Sequence, residues 1–213
     1  MKTEDLIATL ADAPRPPSRA TVSKRLGLAL VASIATALLM LPTIPRNGVR
    51  LETAFLAQLF WVKVLLSLSM MAAGLWVTAR LARPGLRVGR AWLALGFPVA
   101  AVWFAAVAIL SGSPGTDRVD LVLGHTWRTC SLYIAQLSSL PLLMLFWAMR
   151  GLAVTRPVTA GVTIGLLAGA IGTLAYCLRC PETEVPCWAT WYSLGMAVPA
   201  LIGGVAGRWI LRW

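Results

Sequence analysis

The chain has 213 residues, of which 58% are hydrophobic and only 13% charged, with a mean hydropathy of +0.76. A soluble domain carries about a quarter charged residues and under half apolar ones, so an ordinary water-soluble globule is excluded. The formal charge of +11 invites a nucleic-acid surface, but its distribution along the chain decides against one.

In chain order, the first thirteen residues are polar with a narrow apolar stripe. Thr3 suits the N-cap of a short helix, and Glu4 and Asp5 suit the positive end of its dipole. Leu6, Ile7 and Leu10 then share one face, flanked by Ala8 and Ala11. At roughly ten residues such a helix is marginal in water. It reads either as a partner-binding helix whose apolar face docks in a groove, or as a frayed leader. Pro14, Arg15, Pro16, Pro17 and Ser18 follow as a stiff, extended linker.

Six apolar runs come next, at 26–44, 56–78, 91–110, 129–149, 158–178 and 188–206. Each suffices for the ~20 residues of helix that cross a hydrocarbon core of ~30 Å. None alternates with period 2, so they are helices rather than barrel strands. The fold class expected is all-α, a polytopic bundle of six transmembrane helices with a short N-terminal helix outside it. Pro42 and Pro45 close the first run. A cleaved signal peptide is the alternative for that run, but the polar segment before it is long and no small-x-small cleavage site follows. Lys63 is the one charge inside a span, just after Phe60 and Trp61. It is read as an anchor that snorkels to the outer interface. The alternative, an ion path, lacks a partner carboxylate in the other spans and paired broken helices, so a transporter ranks last. Residues 80–90 form a short basic loop with Pro84 and Gly85. Residues 111–128, opening Ser-Gly-Ser-Pro-Gly, form the longest loop, rich in turn signals.

Flanking charge sets the orientation. Thirteen Lys and Arg lie in the loops on the amino-terminal side, against five (Arg46, Arg50, Arg118, Arg128 and Arg179) on the other. Short loops rich in Lys and Arg stay in the cytoplasm, so both termini are expected inside. The basic excess is therefore a topology signal and a contact for anionic lipid heads, and no direct nucleic-acid partner is expected. Residues 1–25 then form a cytoplasmic partner-binding segment and linker, and residues 26–213 one membrane domain. Of the ten Trp, seven (Trp61, Trp92, Trp127, Trp188, Trp191, Trp209 and Trp213) fall near span ends, as an aromatic belt does.

The four cysteines carry the chemistry. Cys130 opens the fourth span, Cys177 closes the fifth, Cys180 follows it, and Cys187 precedes the sixth. The topology brings all four to the outer face. In a bacterial cell that face is the oxidising periplasm, where disulfides persist. Four thiols allow three pairings. His125, the single histidine, lies on the same face, with Asp117, Asp120, Glu182 and Glu184 nearby. Such donors suit zinc or another soft metal ion. Structural disulfide, redox or metal sensing, catalytic thiol exchange and inert cysteines all stand at this point. Cys177-Leu-Arg-Cys180 is formally CxxC, without a thioredoxin-like pattern around it. The enzymatic alternative is a thiol–disulfide oxidoreductase that passes electrons to quinone.

Five motifs in order carry a resemblance. They are Lys2-Thr3-Glu4-Asp5-Leu6-Ile7, Phe60-Trp61-Val62-Lys63, Gly124-His125-Thr126-Trp127-Arg128-Thr129-Cys130, Leu178-Arg179-Cys180-Pro181-Glu182 and Ala189-Thr190-Trp191-Tyr192-Ser193-Leu194-Gly195. Together they resemble the NrsF family, negative regulators of sigma-F, six-span anti-sigma factors of the bacterial inner membrane. The resemblance covers nearly the whole chain. It implies a regulator rather than an enzyme, with no catalytic residue. The cytoplasmic head would bind an extracytoplasmic-function sigma factor through Leu6, Ile7 and Leu10, with Glu4 and Asp5 as polar contacts. Cys130 and Cys180 would form the periplasmic sensing pair, answering oxidants or heavy metals. Cys177 and Cys187 fall outside that pattern, which adds a second bridge or a four-thiol metal site to the alternatives.

Overall fold

The computed structural model describes residues 19–45, 58–83, 88–124, 126–152 and 154–212. These hold seven α-helices: α1 (Arg19–Met40), α2 (Gln58–Leu81), α3 (Ala91–Gly112), α4 (Arg118–Leu123), α5 (Trp127–Met149), α6 (Pro157–Tyr176) and α7 (Val185–Ile210). All but α4 are long and apolar enough to cross a membrane. Among the described residues there is no strand. The exterior agrees with lipid: Leu39, Phe97, Phe104 and Leu201 are each at least 70% exposed, a surface that water would not tolerate.

The six spans lie where the apolar runs place them, with ends that differ. Helix α1 starts seven residues before the run at Leu26, because Val22 and Leu26 pack inward while Lys24 and Arg25 stay exposed. Hydropathy marks the part of a helix in hydrocarbon, not the turn that emerges from it. Pro42 then closes α1 through a 3-10 turn, Leu41–Thr43. Helix α7 begins at Val185 with Pro186 in its first turn, where a missing N–H costs nothing. The stretch 111–128, expected as irregular, contains α4.

Helix α6 is the centre of the bundle, with fourteen of its twenty residues buried. It packs against α7, α5, α2 and α1, whereas α3 bridges α2 and α7 on the outside with only Ala91, Leu95 and Ala106 buried. The α6–α7 seam is built from backbone. Gly161, Gly165 and Gly169 recur every four residues on α6 and face Gly203, Gly207, Pro199 and Met196 on α7. A Cβ at Gly165 would stand 2.6 Å from the Ala200 Cα, and one at Gly169 2.9 Å from the Met196 Cα. Small residues at this spacing let helices approach closely where no hydrophobic effect drives them together. Pro98, Pro141 and Pro199 sit inside α3, α5 and α7. The Pro141 carbonyl accepts a buried hydrogen bond of 3.4 Å from Ser33 Oγ on α1, a cross-helix bond of the kind membrane helices use.

Candidate functional site

At the end of the bundle away from the first described residue, the last turn of α6 unwinds into the α6–α7 connection. The amides of Leu178, Arg179 and Cys180 bond back to the carbonyls of Ala175 and Tyr176. This extra turn sets Cys180 beside the first turn of α5, which carries Cys130. The Cys130 thiol lies near enough to Cys180 to favour the Cys180 thiolate. Cys177 ends α6 and Cys187 lies in the first turn of α7, and all four cysteines are buried free thiols.

Aromatic hydroxyls surround the pair. The Cys177 thiol donates to the Tyr192 hydroxyl at 4.0 Å, and the Tyr192 hydroxyl also favours the Cys180 thiolate. Tyr133, Tyr176, Tyr192 and Trp188 form a run of ring contacts with centroids 6.1–6.2 Å apart. Trp188, expected in the interfacial belt, is thus 1% exposed and part of this wall. Trp61, Trp92 and Trp209 do face outward.

Lys63 departs further from expectation. It does not snorkel to the interface. It is 4% exposed, and its Nζ donates to the backbone carbonyl of Glu182, two residues past Cys180. The side chain turns under the α6–α7 connection because that loop folds over the start of α2. Ser67, one turn on, donates to the Lys63 carbonyl at 3.0 Å and lies 3.8 Å from the Cys177 sulfur. Glu182 is buried as well, its Oε1 accepting from the Thr126 amide at 3.0 Å. Opposite it, Gly124 (φ 59°) ends α4. A Cβ there would fall 2.6 Å from the Cys187 sulfur and 3.0 Å from Glu182 Oε2, so only glycine fits. Helix α4 is held in place by Trp191 Nε1, which donates to the Val122 carbonyl at 2.9 Å.

The electrostatics single out Cys180, which lies in the connection beyond α6. Its thiol is held below the ordinary thiol range, first by the Cys130 thiol, then by the Lys63 ammonium, the Tyr192 hydroxyl and the Glu182 amide, against the cost of burial. A thiolate is the nucleophile and the metal ligand, so Cys180 is the reactive member. Alkylation of Cys180 by iodoacetamide is therefore expected to rise through a midpoint below the ~8.5 of a free thiol. Mass-spectrometric labelling across pH checks this, and a Cys180 midpoint above that of a free thiol would refute it.

Of the residues singled out from sequence, the four cysteines and Glu182 come together. Asp117, Asp120 and Glu184 are exposed, and only Glu184, beside Cys187 in sequence, acts on one of the thiols. His125 and the segment with Glu4, Asp5, Leu6, Ile7 and Leu10 lie outside the described residues. Among the described residues, no group of three or more His, Cys, Asp or Glu is placed to hold a metal ion. Lys63, Tyr176 and Tyr192 belong to the site without having been assigned to it. The intramembrane charge of Lys63 was the one advance signal.

The chain matches a family model described as "Negative regulator of sigma F" over residues 10–213. The match begins at Leu10, so Glu4, Asp5, Leu6 and Ile7 lie before it. Over its whole length the chain is 38% identical to the whole of a probable anti-sigma-F factor NrsF from Azospira oryzae. It is 40% identical to the whole of the anti-sigma-F factor NrsF from Caulobacter vibrioides. No solved structure matches. A six-span bundle with full-length similarity to two such proteins places the chain plainly: it belongs to the NrsF family, the negative regulators of sigma F.

Proposed function

We propose that this chain is an anti-sigma factor of the bacterial inner membrane, with both termini in the cytoplasm. In this reading it holds an extracytoplasmic-function sigma factor through Glu4, Asp5, Leu6, Ile7 and Leu10, and releases it when Cys130 and Cys180 are modified from the periplasm. The end-to-end identity to proteins named anti-sigma-F factors carries the class of function. Two buried free thiols side by side, one with its thiolate favoured, support the signal.

With hydrogen peroxide the chemistry balances in two steps. The Cys180 thiolate attacks a peroxide oxygen, an S–O bond forms, the O–O bond breaks, and hydroxide leaves. Cys130 then attacks the resulting sulfenic acid. An S–S bond forms, and the oxygen departs as water with the Cys130 proton. Two thiols are oxidised by two electrons, and the peroxide is reduced. A soft cation such as zinc or cadmium, taken by the thiolates of Cys130 and Cys180 with His125, is a second input of the same site. Either event introduces a covalent or coordinate link between α5 and the α6–α7 connection.

The test is co-purification of the cognate sigma factor with the full chain, with a variant lacking residues 1–17, and with Cys180→Ser, before and after oxidant. Capture by the full chain and by Cys180→Ser, release from the full chain alone on oxidation, and no capture by the truncated chain are expected. Absence of sigma factor from every preparation would overturn the anti-sigma reading. Equal release from Cys180→Ser would overturn the thiol signal alone.

A further inference from the structure

The end of the bundle opposite the thiols holds a second built feature. A pocket of about 400 Å³ opens there between the α5–α6 turn and the end of α7. Arg150 lines it from the turn and Arg212 from the chain end. A third guanidinium arrives from α1. Gly151, also in the wall, has φ 151°, and a Cβ on it would lie 3.0 Å from Arg25 Nη1. Glycine is thus needed both for the backbone and for the approach of Arg25. Two arginines from separate segments line one cavity, and Arg25 of α1 approaches the Gly151 backbone in its wall.

Among the described residues, no carboxylate lies at this end. Asp117, Asp120, Glu182 and Glu184 are all in connections at the thiol end. Arg25, Arg150 and Arg212 are exposed. The remaining lining is apolar, from Met149, Leu152 and Leu211, with Trp209 standing 65% exposed at the rim. Arg208 stacks on the Trp209 ring at 5.9 Å, which holds the indole at the mouth. A Trp at this level marks the headgroup region of a bilayer.

We propose that this pocket binds the phosphodiester headgroup of an acidic phospholipid, with Arg150 and Arg212 on the phosphate. The guanidinium fork matches two phosphate oxygens at once, which a choline headgroup's own cation offsets and a glycerol headgroup leaves free. Trp209 and Ile210, exposed at the mouth, receive the glycerol backbone and the first methylenes of the chains. A free phosphate would meet the same arginines but leave those side chains bare, which is why the lipid is the favoured occupant. The site is independent of what the thiols do and of which partner the head binds.

The experiment uses the full chain in mild detergent, offered phosphatidylglycerol, phosphatidylcholine or inorganic phosphate. Retained lipid is read by native mass spectrometry, and thermal stabilisation alongside. A phosphatidylglycerol preference of at least about tenfold is expected for the parent. It should be lost in Arg150→Gln/Arg212→Gln and kept in Arg156→Gln, which removes an exposed arginine of the same turn that does not line the pocket. Equal retention of the two lipids by the parent would overturn the proposal. So would loss of the preference in Arg156→Gln, which would reduce it to general positive charge. Stabilisation by inorganic phosphate equal to that by phosphatidylglycerol would overturn the lipid in favour of a soluble anion. Appearance of the preference only after removal of residues 1–17 would overturn the lipid and assign the pocket to the amino-terminal segment instead.

Discussion

Gly165→Leu is expected to prevent the bundle from closing. The new Cβ would stand 2.6 Å from the Ala200 Cα. The obstacle is backbone, so no rotamer change relieves it, and α6 must move away from α7 along their whole seam. Overpacking a core costs typically ~1–3 kcal/mol where side chains can yield. Here the helices themselves must part, so the loss should be about 3 kcal/mol or more. It would appear as a lowered thermal midpoint and an aggregated fraction in size-exclusion chromatography. Gly96→Leu on α3 is the control, since nothing lies within 4 Å of its Cβ. Two variants of equal stability would refute the seam as the organising contact.

Lys63→Met should blunt the reactive thiol. Methionine keeps the length of the side chain and loses the ammonium that bonds the Glu182 carbonyl and favours the Cys180 thiolate. An opposite charge nearby lowers an acid's midpoint by ~1–3 units, so the Cys180 alkylation midpoint is expected to rise by about one unit or more. Losing the donor of a buried carbonyl also costs about 1–3 kcal/mol. Stability alone cannot distinguish a structural role from an electrostatic one, but the midpoint can. Lys63→Arg, which retains the charge, should titrate as the parent does. A methionine variant with an unshifted midpoint would leave Lys63 as a tether for the loop and nothing more.

The six spans were legible because hydrocarbon imposes a length and a composition that few sequences meet by accident. Their ends were not, since Arg19–Arg25 is helical and too polar to show in hydropathy. Helix α4 was hidden by its length: six residues after Ser-Gly-Ser-Pro-Gly carry no usable periodicity. The shared face of the four cysteines followed from topology. Which two touch depended on α6 lying beside α5, and no spacing in the chain expresses that. Lys63 and Trp188 were misplaced for one common reason. A residue near a helix end reaches the interface only if that end faces lipid, and here a loop folds over both. The glycines at 161, 165 and 169 were in plain view, and their four-residue spacing does announce a helix contact.

That seam has a mechanical consequence. Between most packed helices lies a layer of side chains that can shear and take up a displacement. Between α6 and α7 there is almost none, since glycine backbone meets backbone at Gly161, Gly165, Gly203 and Gly207. The two helices therefore move as one stiff hairpin, and the segment holding Cys177, Cys180 and Glu182 is its bend. A tug on the bend cannot be dissipated along the hairpin. It turns the whole lever, and the displacement emerges beside Pro157 and Gly207, about 30 Å away by the rise of a twenty-residue helix.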